Sequence, residues 1–313
     1  MTPVTKRDFL SIDDVSSDEL TALLDGADRH KADRRPLGLL DGRTVALVFE
    51  KPSTRTRVSF EVAVHELGGY PLPLSSADLQ LGRGETLEDT AAVLSRYVHA
   101  IVLRTFAQEN LERLARAGSV PVVNALSDYS HPCQALADLQ TIREAKGRLP
   151  GIRLAYLGDG NNVAHSLLFA GTKMGMHVAV ATPLGYEPIP QVVRRATEIA
   201  GQTGGSVELT HDPATAAKDA DVLYTDVWAS MGKEMEHGER ALIFKPYQVS
   251  TDTVMAAAPD AIVLHCLPAH RGEEIAAEVM DGPRSAVFDQ AENRLHTQKA
   301  LLSWLLTGSP DPS

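Results

Sequence analysis

Two cysteines, Cys133 and Cys266, are all that the 313-residue sequence contains, and they lie far apart. A disulfide framework does not fit, whereas a reducing compartment does. No uninterrupted apolar run is long enough to span a bilayer, and the opening Met1-Thr-Pro-Val-Thr-Lys-Arg-Asp8 leads into no apolar signal core. No membrane segment is expected, and the expected location is cytoplasmic. Positive charge is also in deficit: 30 Lys and Arg stand against 41 Asp and Glu, a formal net charge of -11. Binding along a phosphate backbone needs a positive excess, so nucleic acid is excluded as partner. Basic groups in this chain must then serve a local anion. Low-complexity tracts are absent, and 43% hydrophobic with 23% charged residues is ordinary for a globular protein. The length allows two domains, each with its own core.

The sequence alternates strand-like and helix-like segments in both halves. Strands are expected near 44 to 50, 70 to 74, 99 to 103 and 120 to 124, then 152 to 157, 177 to 181, 206 to 210, 221 to 225, 261 to 264 and 285 to 288. After an amphipathic start at Ser17-Asp-Glu-Leu-Thr-Ala-Leu-Leu24, helical spacing is expected at 57 to 68, 86 to 97, 108 to 117 and 132 to 146. In the second half it recurs at 162 to 174, 189 to 201, 213 to 218, 273 to 280 and 291 to 306. Such alternation predicts an α/β protein with two doubly wound parallel sheets. The break at Gly147 and Pro150-Gly151 suggests a junction. The expected division is 1 to 146, with the C-terminal helix 291 to 313 packing back on it, and 147 to 290.

Ligands of such sheets bind beyond the carboxyl ends of the strands. The run Lys51-Pro-Ser-Thr-Arg-Thr-Arg57 occupies such a strand-to-helix turn. Unpartnered N–H groups of a first helical turn bind anions. Ser53, Thr54 and Thr56 add hydroxyls there, and Arg55 adds a planar fork matched to phosphate oxygens. The bland reading is a capped helix with solvated arginines, Arg57 pairing with Glu61. Arg104 closes the strand Ala100-Ile-Val-Leu-Arg104, and His131-Pro-Cys-Gln134 opens the next helix, where an imidazole and an amide can each donate to a carbonyl. Each of these alone reads as a structural residue or cap. Three ligand-suited strand ends in one domain point to a ligand with both a phosphate and a carbonyl.

In the second half, Gly158-Asp-Gly-Asn-Asn-Val163 lacks the third glycine of a dinucleotide fingerprint, and no ribose-binding acid stands near Thr182. Asn162 is suited instead to a carboxylate or an ammonium. Asp226-Val-Trp-Ala-Ser-Met-Gly232 places a carboxylate just after a strand, with Trp228 and Met231 suggesting a lid. Leu264-His-Cys-Leu-Pro-Ala-His-Arg271 places the Cys266 thiol and the Leu267 carbonyl after another strand, Pro268 favouring extended geometry at Leu267. Zinc-ligand spacing is absent from these His and Cys positions, so no metal is expected. No cofactor is implied either.

Ser53-Thr-Arg-Thr-Arg57, His131-Pro-Cys-Gln134, Asp226-x-x-x-Ser-Met-Gly232, His265-Cys-Leu-Pro268 and Gln290-Ala-Glu-Asn-Arg294 together resemble the transcarbamoylase family, on its ornithine-using side. The resemblance runs from Lys51 to Arg294. It implies two α/β domains joined by two helices, and transfer of a carbamoyl group from carbamoyl phosphate to the δ-amine of L-ornithine, giving L-citrulline and phosphate. It implies carbamoyl phosphate held by Ser53, Thr54, Arg55, Thr56, Gln80, Arg104, His131, Pro132, Cys133, Gln134, Cys266, Leu267 and Arg294. Ornithine would be fixed by Asn162, Asp226, Ser230 and Met231, with Arg104, His131, Asp226 and Cys266 catalytic. It also implies a homotrimer in which the loop bearing Gln80 reaches a neighbour's site, and a place in arginine biosynthesis. The alternatives weighed are a relative using putrescine, acetylornithine or aspartate, a Rossmann-type dehydrogenase and a non-catalytic binding protein.

Overall fold

The computed structural model describes residues 5–35, 38–51, 53–75, 84–228 and 237–311. Pro52, Gln80, Ser230 and Met231 lie outside the described residues. The chain divides into two compact units, residues 1–140 with 292–313, and residues 141–291.

In the first unit, α1 (Ser17–Ala32) precedes β1 (Thr44–Phe49), α2 (Thr54–Glu66), β2 (Tyr70–Ser75), α3 (Leu87–Leu94), β3 (Ala100–Arg104), α4 (Gln108–Ala117), β4 (Val122–Leu126) and α5 (Pro132–Lys146). All strand pairs are parallel, in the order β2-β1-β3-β4. The central strands β1 and β3 are covered on both faces, which is why Val45-Ala-Leu-Val48 and Ala100-Ile-Val-Leu103 read as continuous apolar runs. The edge strand β2 instead carries Pro71 and Pro73, tolerable because an edge has one unpaired side.

The second unit continues with β5 (Arg153–Leu157), α6 (Asn162–Lys173), β6 (His177–Ala181), α7 (Pro190–Thr203), β7 (Ser206–Thr210), α8 (Pro213–Ala217) and β8 (Val222–Thr225). Then come α9 (His237–Phe244), α10 (Thr251–Ala256), β9 (Ile262–His265), α11 (Ala277–Met280) and α12 (Val287–Thr307). This sheet is parallel too, ordered β7-β6-β5-β8-β9. The boundary between the units falls inside α5 and α12, so two helices carry the chain across it.

Two expectations need correction, and two short helices had not been foreseen. Residues 285 to 288 do not form a strand: Ser285 makes one isolated bridge to Val263, and Val287 already begins α12. Apolar content suggested a strand, but Phe288 is 67% exposed on the first turn of a long helix. The helix expected at 273 to 280 is shortened to Ala277–Met280 because Glu274 is drawn to the His265 ring and the His270 N–H. The short helices α9 and α10 had no periodicity strong enough to reveal them; a Ser250 capping box starts α10.

Within the first unit, α12 buries Lys299 completely against Glu66 of α2 at 2.9 Å, with Arg34 on the same carboxylate. Removing one member of a buried pair strands the other charge, at about 3–5 kcal/mol. Glu66→Ala should therefore lower unfolding stability by about 3 kcal/mol in urea titration, well beyond an exposed pair such as Arg57–Glu61. His30 adds a pH dependence: burial first, then Lys299 and His296 beside it, lower its pKa to about 4. A base depressed in the fold contributes stability above its unfolded pKa of about 6.5. That contribution is expected to be lost as pH falls from 6.5 to 4, and His30→Leu should flatten this part of the stability–pH curve.

Candidate functional site

Each sheet reverses its strand order at one place, and each reversal carries a cluster of polar groups. In the first unit the reversal lies between β1 and β3. Ser53 takes the N-cap position of α2 with extended backbone, yet its side chain makes no capping hydrogen bond. Simple capping thus does not explain it. Thr54 and Arg55 are exposed, and Arg57 pairs with Glu61 at 2.7 Å, the surface role expected of it.

Thr56 is the buried member of this turn, 1% exposed. Its hydroxyl oxygen accepts from Arg294 Nη2 at 2.8 Å and from Arg104 Nη1 at 3.5 Å. A hydroxyl has two acceptor lone pairs and one proton, so two guanidiniums on its oxygen turn the proton outward as a donor. Arg104 ends β3, Arg294 comes from α12, and both are buried. Two buried guanidiniums and a hydroxyl gathered at the N-terminus of α2 bring together the positive charge and the donors that suit an anion. His131 senses the same field. Burial first, then Arg294, Arg104 and Arg55, push its pKa well below the usual range, so the ring is neutral.

Pro132 is the first residue of α5. Gln134 donates its amide N–H to Asp138 at 2.9 Å. That engages one of its two N–H donors, and Gln134 can present its other N–H to a carbonyl or its oxygen to an amide NH₂. Cys133 directs its thiol to the Asn124 carbonyl at 3.3 Å, and burial pushes its pKa up to about 12. Its side chain is inert, which leaves only its main chain for a ligand.

The second reversal lies between β5 and β8. Asp226 follows β8 and is nearly buried. Cys266 follows β9 and donates its thiol to Asp226 Oδ1 at 3.0 Å. Asn161, at the N-cap of α6, donates to Asp226 Oδ2 at 2.9 Å. Asn162 stands beside it as the first, half-buried residue of α6. Asn161 was missed in the sequence, although an Asn just before an apolar helix is a capping signal. Its oxygen accepts from the Val163 and Ala164 N–H groups, the donors that a dinucleotide pyrophosphate would require. A dehydrogenase reading is disfavoured by that contact as well as by the missing glycine.

Two details of this half-site correct the sequence reading. Trp228 is 5% exposed and stacks on Phe244 at 6.2 Å, a core residue and not part of a lid. Its carbonyl accepts from buried Arg240, which also pairs with Asp159 and lies over the Tyr186 ring. Leu267 is not extended: φ is 59° and its bond to Pro268 is cis. Its N–H donates to His265 Nδ1 at 2.8 Å, closing a tight turn, while His265 Nε2 faces Glu274 at 3.1 Å. Asp226, His265 and Cys266 do bring ligand-type atoms within 4.8 Å of one another. With Nδ1 accepting and Nε2 donating, however, His265 has no lone pair left for a metal.

Two family models match the chain. Residues 7–144 match the aspartate/ornithine carbamoyltransferase carbamoyl-P binding domain, and residues 150–305 match the Asp/Orn binding domain. The chain belongs to the aspartate/ornithine carbamoyltransferase family. Among carbamoyltransferases of this family, a protein of Parafrankia sp. (strain EAN1pec) named ornithine carbamoyltransferase is 66% identical over 307 residues, 97% of either chain. One from Pyrococcus furiosus named "Ornithine carbamoyltransferase, anabolic" is 56% identical over 305 residues, 96% of this chain and 97% of that one. The solved structure of ornithine carbamoyltransferase from Pyrococcus furiosus superposes with a TM-score of 0.95 at 55% identity, covering 98% of this chain and 99% of that one.

The contrast between the two thiols is testable in this carbamoyltransferase. Iodoacetamide near pH 8, followed by peptide mass mapping, should label half-exposed Cys266 and leave Cys133 unlabelled in the folded protein. Equal labelling would contradict the buried assignment of Cys133.

Proposed function

We propose that the protein transfers the carbamoyl group of carbamoyl phosphate to the δ-amine of L-ornithine, yielding L-citrulline and phosphate. The observation that carries this reading is the Thr56–Arg104–Arg294 cluster at the open N-terminus of α2. It has the charge, the donors and the position that a phosphate on a small acyl group requires. In this reading Ser53, Thr54, Arg55 and Thr56 hold the phosphate in the first unit, with Arg294 behind them. Arg104 and neutral His131 donate to the carbamoyl oxygen and stabilise the negative charge that grows there during attack, an effect worth about 10²–10³ in rate per donor. Gln134, with its N–H on Asp138, accepts from the carbamoyl NH₂. Main-chain groups at Pro132 and Cys133, and at Cys266 and Leu267, complete the grip on that group.

Asn162 and Asp226 in the second unit, with Ser230 and Met231, fix ornithine. Its δ-ammonium has a pKa of about 10.4 and must lose a proton to become a nucleophile. Asp226 attracts this cation, and the Asp226–Cys266 pair accepts its proton, with the departing phosphate as second acceptor. Lone-pair attack on the carbamoyl carbon then expels phosphate as the carbon–oxygen bond breaks. The Parafrankia and Pyrococcus likenesses favour ornithine over other acceptors, and the relative named anabolic supports a place in arginine biosynthesis. A cytoplasmic homotrimer, with Gln80 contributed to a neighbouring subunit's site, belongs to the same reading.

Citrulline formation should be measured with ornithine, putrescine, acetylornithine and aspartate under saturating carbamoyl phosphate. Turnover is expected with ornithine, and its absence would overturn the proposal. Thr56→Val should weaken carbamoyl phosphate binding about tenfold or more, roughly 1.4 kcal/mol or above. Cys266→Ser should lower turnover more than it weakens carbamoyl phosphate binding; equal losses would remove Cys266 from proton transfer.

A further inference from the structure

We infer that Asn161 is a positioning residue of the amino-acid half-site, holding Asp226 in the one orientation that presents its second oxygen to Cys266. The role in ornithine turnover rests on the function proposed above, whereas the geometry stands without it. The Asn161 side-chain oxygen accepts from Val163 N at 2.9 Å, Ala164 N at 3.2 Å and the Tyr156 hydroxyl at 3.4 Å. Three donors converging on one atom require it to be the oxygen, because an NH₂ there would face three other donors. Helix α6 thereby sets the amide's orientation. Its nitrogen must face Asp226 Oδ2, and does so at 2.9 Å.

The backbone that carries Asn161 is equally constrained. A Cβ on Gly160 would lie 2.2 Å from Pro188 N, so only glycine allows this approach, and Gly160 N donates to Tyr186 O at 2.8 Å. Beside it, Asp159 is paired with buried Arg240. A turn packed in this way transfers the order of α6 to a carboxylate at the end of the neighbouring strand, β8 beside β5. Asp226 consequently has both oxygens assigned, one to the amide and one to the thiol.

The bland explanation is that Asn161 merely caps α6. Asn, Asp and Ser are comparable caps, so that explanation predicts interchangeable residues. Positioning predicts otherwise: Ser cannot reach Asp226, and Asp replaces a donor with a second carboxylate. The test compares Asn161→Ser, Asn161→Asp and Asn161→Ala with the parent protein in thermal unfolding, citrulline kinetics and the pH profile of Cys266 alkylation by iodoacetamide. The Ser variant keeps the α6 cap and loses only the bond to Asp226, so its unfolding loss is expected to be smaller than that of Asn161→Ala, which loses both. In Asn161→Ser, kcat with ornithine should fall at least tenfold while carbamoyl phosphate affinity is unchanged. In Asn161→Asp, the alkylation midpoint should rise by roughly one pH unit, because a second negative charge opposes the thiolate. Parent-like kinetics and alkylation in both variants would overturn the inference, as would an Asn161→Ser unfolding loss as large as that of Asn161→Ala. Should the parent form no citrulline, the ornithine reading fails, and the alkylation profile alone decides the role of Asn161.

Discussion

Parallel pairing of β1 with β3, and of β5 with β8, is the constraint on which both half-sites depend. A parallel sheet puts all its carboxyl ends along one edge, and a reversal of strand order leaves that edge open at one place. Residues remote in sequence are then gathered there without any special folding device. Thr56 follows β1, and Arg104 ends β3; Asn161 follows β5, and Asp226 follows β8. What differs between the units is the chemistry placed on the same frame. The first gathers cations around a hydroxyl, while the second gathers a carboxylate, a thiol and an amide.

A chain with net charge -11 attracts an anion only through local arrangement. Two unit charges about 4 Å apart interact by about 4 kcal/mol at an effective dielectric near 20, compared with about 1 kcal/mol in water. Burial of Arg104 and Arg294 beside Thr56 therefore matters more to a bound phosphate than the distant acidic surface, which salt screens. The depressed basicity of His131 is a consequence of the same cluster. Its neutrality suits it to donate to a carbonyl without adding a charge that the buried arginines would oppose.

Most strands and long helices were legible because their signals are local. Val45-Ala-Leu-Val48 can hardly be anything but a covered strand, and Pro132 and Pro190 mark first helical turns. The clustering of motifs after strands was legible too, since parallel topology supplies the geometry. Other features depend on partners distant in sequence. Nothing near Trp228 announces Phe244 or Arg240, which turn an apparent lid residue into core. Leu267 adopts its turn because His265 accepts its N–H, and Ser285 stops short of a strand because α12 begins two residues later. Gln134 directs one N–H to Asp138, one helical turn away, a contact that no local signal in the sequence announces.

Asp226 shows why such partner-dependent details bear on chemistry. A carboxylate with a free side chain can meet an ammonium in many orientations, most of them unproductive for transfer of a defined proton. With the thiol on one oxygen and the amide on the other, its orientation is set before any ligand arrives. Under the proposed function, an approaching ammonium meets an acceptor of fixed direction and loses less orientational freedom on reaching a reactive geometry. A single amide thus contacts both, its oxygen accepting from the N-terminus of α6 and its nitrogen donating to the carboxylate.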